Sequence, residues 1–218
     1  MIDDFVRDPF GALQQLVLMI PGYLLAVTLH EVAHGWVADR LGDPTARLRG
    51  RLTLNPLPHI DPLGALAFVV ARFGWAKPVP VDPRNFRRPI RDMTLVAVAG
   101  PLMNFVVAFL GLVTLLVMRD HVHAPGVREP LLGTLRIVFE FNLVLAIFNL
   151  IPLPPLDGGH FLPYFFPRGA WPLRQRLEQY GPLILLLLVF SGVTRYVVWP
   201  VFNLVASLYL AILRPFFM

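Results

Sequence analysis

Of the 218 residues, 56% are hydrophobic and only 15% are charged, and the mean hydropathy is +0.63. Soluble domains carry about 25% charged residues, so these figures argue against a water-soluble globule, and they rule out a disordered chain, which needs low hydrophobicity and high charge. Cysteine is absent, which removes disulfides, thiolate metal ligands and a cysteine nucleophile, and the net charge of +5 reads in so apolar a chain as basic cytoplasmic loops, with no nucleic acid as partner.

The uncharged runs place the membrane segments. From Pro9 to Ala38 the only charged or imidazole residues are His30, Glu31 and His34, and about 20 apolar residues suffice to cross the hydrocarbon. Pro62 to Val70 is apolar but too short to span. Gly74-Trp75-Ala76-Lys77-Pro78-Val79-Pro80-Val81 follows, with Val and Pro alternating. This stretch reads either as a re-entrant segment leading into a short β-hairpin with an edge strand or as an irregular surface loop. Met93 to Met118, uncharged, is a second full span, and the outer connection after it holds His121 and His123, read as solvated loop histidines. Ile137 to Leu156 is a third span, carrying only Glu140 and running directly into Asp157. Gly181 to Leu213 reads as two helices broken near Trp199-Pro200, since proline rarely continues a helix. The expected fold is an α-helical integral membrane protein of about five to six membrane segments.

Charge bias orients it. Ten of the 19 Lys and Arg residues lie between Arg40 and Arg91, and Arg168, Arg174 and Arg176 follow the third span. The positive-inside rule puts both regions in the cytoplasm and the N-terminus outside. Asp3, Asp4 and Asp8 are unlike the basic start of a signal peptide, so the first apolar run is expected to be retained. Gln175 to Glu178 and the flanking arginines read as a solvated cytoplasmic face.

The few polar residues inside the apolar runs carry the chemistry. His30-Glu31-Val32-Ala33-His34 is an H-E-x-x-H pattern. On a helix, residues four apart share a face, so both imidazoles can bind one metal ion with Glu31 beside it. About 20 residues precede His30 in the first span, roughly 30 Å of rise, which sets the pattern near the cytoplasmic end. A carboxylate at membrane depth costs about 2.5–3.5 kcal/mol on insertion scales, so by default it is partnered and functional. Two neutral imidazoles with a third protein ligand and an open position suit Zn2+.

The third ligand must come from elsewhere in the chain, and Asp157 is the leading candidate. It ends Asn149-Leu150-Ile151-Pro152-Leu153-Pro154-Pro155-Leu156-Asp157, on the same side as His30 and His34, where the prolines stop regular helix. Irregular backbone at that depth is tolerated only when buried in protein or lining a wet cavity. His160 reads equally as a group behind the metal ligands or as packing, and His59 as a local hydrogen-bonding residue.

These motifs together resemble the site-2 proteases, intramembrane zinc metalloproteases. The resemblance covers nearly the whole chain: Leu29–Gly35; Arg51–Pro56 through His59-Ile60-Asp61-Pro62; Gly74–Val81; Ala99-Gly100-Pro101-Leu102-Met103-Asn104; and Asn149–Gly159. It implies a three-helix catalytic core with a membrane-inserted hairpin, one Zn2+ held by His30, His34 and Asp157, and Glu31 as general base. It further implies that Asn104 helps to hold the scissile carbonyl. By their residues alone, Gly100 reads first as close helix packing by a small residue, and Asn104 equally as the donor or acceptor of an interhelical hydrogen bond. Trp75, Val79 and Val81 are the candidate substrate-binding residues, through strand addition to an unwound substrate. The implied partners are a transmembrane protein substrate and the lipid bilayer, in a bacterial plasma membrane. The stretch from Arg119 to Pro130 is too short for a PDZ domain. One membrane-embedded domain is therefore expected over 1–218, with its catalytic core over about 9–160 and C-terminal helices over about 181–215. A transporter or a non-catalytic metal-binding scaffold is the rival class. A transporter usually shows repeated halves around a mid-bilayer site, and no repeat is found here.

Overall fold

Asp8 and Pro9 open the first helix of the computed structural model, which describes residues 7–71, 74–165 and 171–217. Asp3, Asp4 and Arg168 lie outside the described residues. The Gly11 N–H donates to Asp8 Oδ1 at 2.9 Å, and Pro9, which has no N–H to leave unpaired, takes the first helical turn. The helix that follows, α1, runs Pro9–Arg40. Its 32 residues span about 48 Å, more than the roughly 30 Å of hydrocarbon.

The remaining long elements are α2 (Pro62–Ala71), α3 (Pro89–His121), α4 (Pro125–Asn149), α5 (Trp171–Phe190) and α6 (Thr194–Phe217). Single helical turns at Thr45–Leu48, Leu57–His59, Pro83–Asn85, Asp157–Phe161 and Leu162–Phe165 lie in the connections. Among the described residues four helices are long and apolar enough to cross a membrane: α1, α3, α4 and α6. In α5 the uncharged stretch begins only at Gly181, halfway along the helix, so its length does not translate into a span of the same kind.

α1, α3 and α4 pack against one another and form the three-helix core, with α6 laid across α3 and α4. The largest apolar cluster joins Ala108, Leu112 and Leu116 of α3 to Phe139, Leu143 and Ile147 of α4 and to Val198 and Phe202 of α6. A second cluster docks α2 onto α1: Tyr23 stacks on Phe68 with ring centroids 4.2 Å apart, beside Val27. Tyr23 lies two turns before His30, so α2 packs at a depth away from the charged end of α1. At ten residues α2 is too short to cross a membrane. In such a molecule Leu102, Val106 and Leu110 stay exposed along α3 because their solvent is lipid.

Three boundaries differ from those the sequence suggests. The third core helix starts twelve residues earlier than Ile137 and stops at Asn149 rather than Leu156. Pro152, Pro154 and Pro155 cannot continue the ladder, and the freed chain turns back toward α3. The outer connection shrinks accordingly to residues 122–124, with His121 in the last turn of α3, where its Nδ1 meets the Val117 carbonyl at 2.8 Å. The C-terminal break falls at Gly192, whose φ of +73° a side chain would disfavour, while Pro200 is accommodated inside α6. A proline within an apolar helix is tolerated where neighbouring helices cover the backbone.

Among the described residues no β-ladder forms at Trp75–Val81. The segment is extended, with one antiparallel bridge between Ile60 and Ala76 and a hydrogen bond from Lys77 N–H to the His59 carbonyl at 2.9 Å. Pro78 and Pro80 have no N–H, which removes alternate rungs of any ladder on that edge.

Candidate metal centre

His30 and His34 sit one turn apart on α1, both buried, and their Nε2 atoms approach to 2.9 Å. Asp157, brought in by the proline turn after α4, places Oδ2 at 3.1 Å from His30 Nε2 and 3.3 Å from His34 Nε2. Among the described residues these three side chains form the one cluster able to hold a metal ion.

The far side of each imidazole decides what the near side is. His34 Nδ1 lies 2.7 Å from the Val96 carbonyl, an atom that only accepts, so Nδ1 carries the proton. His30 Nδ1 lies 2.5 Å from Asn104 Oδ1. The Asn104 amide cannot be turned round, because its nitrogen donates to the Ala26 carbonyl at 3.1 Å and to Asn142 Oδ1 at 2.8 Å. In the neutral imidazoles both Nε2 atoms therefore present lone pairs, and they face each other and a carboxylate oxygen that has no hydrogen-bond partner of its own. Three buried acceptors converging without a donor are costly in a low dielectric. A proton could satisfy only one pair; a divalent cation satisfies all three. A tetrahedral zinc site with bonds of about 2.0–2.1 Å has ligand edges of about 3.3 Å, close to the spacings here, so the residues present fit zinc.

Gly100 of α3 makes the room. A Cβ at this position would stand 2.5 Å from His34 Nε2 and 2.6 Å from His30 Cε1. The glycine expected to serve close packing does so against the two imidazoles themselves.

Glu31, also buried, accepts the Val79 N–H on Oε2 at 2.7 Å. Between two prolines, Val79 has the only N–H of Pro78-Val79-Pro80, and it is aimed at the carboxylate next to the metal cluster. The whole extended segment is strapped to α1 and its surroundings. Tyr23 Oη donates to the Trp75 carbonyl at 3.1 Å, Arg51 Nη2 to the Lys77 carbonyl at 2.7 Å, and the Asp82 N–H to Asp43 Oδ2 at 2.8 Å. Of the three candidate substrate-binding residues, Trp75 is about half exposed; Val79 is buried toward Gly35, and Val81 packs beside Ala38 and Phe86.

Asn104 is fully buried and committed to His30, Ala26 and Asn142. Both amide hydrogens are already donated, so its partner here is a metal-site histidine, which is not the contact the resemblance implies. Asn142 was not apparent from sequence. It lies uncharged within an apolar run, and only an asparagine amid Phe139–Ala146 could have signalled it. His59 is buried, with Nε2 at 2.9 Å from the Thr53 carbonyl, as its local reading requires, and the His160 carbonyl accepts from Thr94 Oγ1 at 3.2 Å.

Asp43 anchors the loops around this centre. Burial works against its charge, but hydrogen bonds from the Thr45 hydroxyl, the Asp82 N–H, the Asn85 amide and the Thr45 N–H outweigh that and hold its carboxyl below the ordinary carboxylate range. Because the folded pKa is the lower one, the stability Asp43 contributes is complete above the unfolded value of about 3.9 and is lost as pH falls through the folded value. Asp43→Ala is expected to destabilise the protein by about 1–3 kcal/mol near neutral pH, removing the acceptor that gathers the Thr45, Asp82 and Asn85 donors. Thermal unfolding in detergent at pH 7 and pH 3 tests this: the gap between wild type and variant should narrow at the lower pH, and a pH-independent gap would refute the assignment to charge.

The comparisons point to a zinc metalloprotease. The model of the family described as "Peptidase family M50" matches residues 121–192. YwhC of Bacillus subtilis (strain 168) is 38% identical over 224 residues, covering 98% of this chain and 99% of that protein. Rip2 of Mycolicibacterium smegmatis is 32% identical over 196 residues, covering 86% of this chain and 72% of that protein. MJ0392 of Methanocaldococcus jannaschii is 30% identical over 139 residues, covering 63% of this chain and 31% of that protein. All three bear zinc metalloprotease names. No solved structure matches the chain significantly. With a relative of 38% identity along nearly its full length, the chain belongs to peptidase family M50, the site-2 type of zinc metalloprotease.

Proposed function

We propose that this metalloprotease cleaves peptide bonds within or near the transmembrane segments of membrane proteins, as in regulated intramembrane proteolysis. In this reading His30, His34 and Asp157 hold one zinc ion and Glu31 is the general base. The observation that carries the reading is the convergence of three buried lone-pair atoms, 2.9–3.3 Å apart, two of them on a helix long and apolar enough to span a membrane. Zinc, when bound, supplies a Lewis acid that lowers the pKa of water and polarises a carbonyl. Glu31, adjacent to His30 and oriented by the Val79 N–H, takes the proton of the attacking water and hands it to the leaving amine.

The substrate must unwind to expose a scissile bond, and its freed amides need partners in lipid. The extended stretch Trp75–Val81 supplies a main chain for this purpose, beside the base and already straight. In this role Trp75 faces the incoming segment, and Val79 and Val81 anchor the stretch to α1. The site belongs to the end of α1 that carries Arg40 and the basic connection beyond it, which supports a cytoplasmic-facing centre in a bacterial plasma membrane with the N-terminus outside. Residues 9–160 form the catalytic core in this reading, and about 181–215 complete a single membrane-embedded domain.

The test is cleavage of a reconstituted transmembrane substrate in lipid vesicles after metal removal. A chelator should abolish cleavage and one equivalent of zinc should restore it, while Asp157→Ala should weaken zinc binding by more than about 100-fold, losing one of three ligands. Cleavage that survives chelation to below one metal per ten chains would sink the proposal.

A further inference from the structure

The chain of amides behind His30 continues into α4, and nothing in the proposed catalytic reading requires it to. Asn142 is fully buried; its Nδ2 donates to the Val138 carbonyl one turn earlier at 2.8 Å, and its Oδ1 accepts from Asn104. Asn104 in turn donates to the Ala26 carbonyl of α1 and accepts from His30.

An asparagine amide can flip, exchanging donor for acceptor, and an imidazole can move its proton between nitrogens. Backbone carbonyls can do neither. Val138 O on α4 requires a nitrogen from Asn142, which turns Asn142 Oδ1 toward Asn104. Ala26 O on α1 requires a nitrogen from Asn104, which turns Asn104 Oδ1 toward His30. The two anchors, on different helices, demand the same polarity throughout. We infer that Asn142 and Asn104 are positioning residues that hold His30 in its Nδ1-protonated tautomer, so that its Nε2 lone pair faces His34 and Asp157. Asn142 accordingly acts on the metal centre from α4 without touching it. A ligand histidine oriented from behind binds metal about 10–100-fold more tightly than one left to choose its tautomer.

The inference rests on the zinc reading for its effect on affinity but not for the tautomer itself, and the experiment separates the two. The full chain is purified in detergent, and the imidazole nitrogen resonances of His30 are read in the metal-free protein; zinc affinity is then measured against a competing chelator. Wild type should show one His30 tautomer, protonated at Nδ1. Asn142→Leu, which keeps the volume, removes one of the two acceptors that fix the Asn104 amide and leaves one buried N–H unpaired, so that the amide flips more readily; it should show a mixture and bind zinc about 10–100-fold more weakly. Asn142→Asp is the rescue: a carboxyl buried in apolar surroundings stays neutral, donating through its O–H to Val138 and accepting through its C=O from Asn104. It should return the single tautomer and an affinity within about threefold of wild type. Should the leucine variant not fold, Asn142→Ala removes the same acceptor. A wild-type tautomer and affinity in the leucine or alanine variant would overturn the inference, as would an equal loss in the aspartate variant, which would reduce Asn142 to packing. If wild type binds no zinc, the zinc reading fails, and the tautomer comparison still decides the role of Asn142.

Discussion

Glu31→Gln is expected to lower peptide-bond cleavage by about 10²–10⁴-fold, the usual contribution of a general base, with zinc stoichiometry and folding unchanged. Glutamine is the right replacement here because the glutamate is not idle in the fold. Its Oε2 accepts the Val79 N–H at 2.7 Å in a buried setting, and an alanine would leave that amide unpaired. The glutamine carbonyl can accept the same bond, so the strap from Trp75 to Val81 stays in place and only proton transfer is removed. The three metal-site side chains are untouched, so metal content separates this outcome from loss of the site. In cells, transmembrane fragments should accumulate in the membranes of the variant relative to wild type. Cleavage at the wild-type rate in metal-replete Glu31→Gln would refute the assigned base.

Gly100→Ala has the next largest expected effect, for a steric reason visible only in three dimensions. The added Cβ would stand 2.5 Å from His34 Nε2 and 2.6 Å from both His30 Cε1 and His34 Cε1. A flexible side chain could retreat from a methyl, but these rings are held from behind, His34 by the Val96 carbonyl and His30 by Asn104. The methyl must either break those bonds or push α3 away from α1. Overpacking of this kind costs about 1–3 kcal/mol of stability, and zinc affinity should fall by at least about 100-fold. Gly111→Ala is the control: on the same helix, its Cβ would meet Val138 Cγ1 at 3.1 Å and the Phe139 nitrogen at 3.4 Å, away from the metal cluster. That variant should lose some stability and keep its zinc affinity. Wild-type affinity in Gly100→Ala would mean the imidazoles yield more freely than their hydrogen bonds suggest.

Much of the fold was legible because lipid imposes a simple rule. Uncharged runs of sufficient length must be helices, so α1, α3 and α4 could be found from where charge is missing. Element ends were less legible. α4 was expected to run to Leu156 because the sequence there is apolar, yet Pro152 overrides hydropathy by denying the backbone its hydrogen bonds. At the C-terminus the reverse happened. The proline pattern points to a break at Pro200, yet the chain turns at Gly192, where a positive φ suits glycine, and Pro200 continues within α6. At Trp75–Val81 an extended chain was foreseen, but its partner was not: Val79 donates to Glu31 on α1, a residue 48 positions away, in place of a hairpin rung.

What the sequence by itself determined is the chemistry. His30, Glu31 and His34 stand on one helical face because of their spacing alone, and a carboxylate in an apolar run demands a partner wherever the run folds. Those statements depend on local geometry and on the solvent, both of which are written in the residues. The tertiary structure decided what stands behind that face. It set Asn104 against His30, tied it to Asn142, and gave Gly100 the imidazoles as neighbours. Hydrogen-bond direction across three helices depends on which carbonyls come within hydrogen-bonding reach, and no periodicity along one helix carries that information.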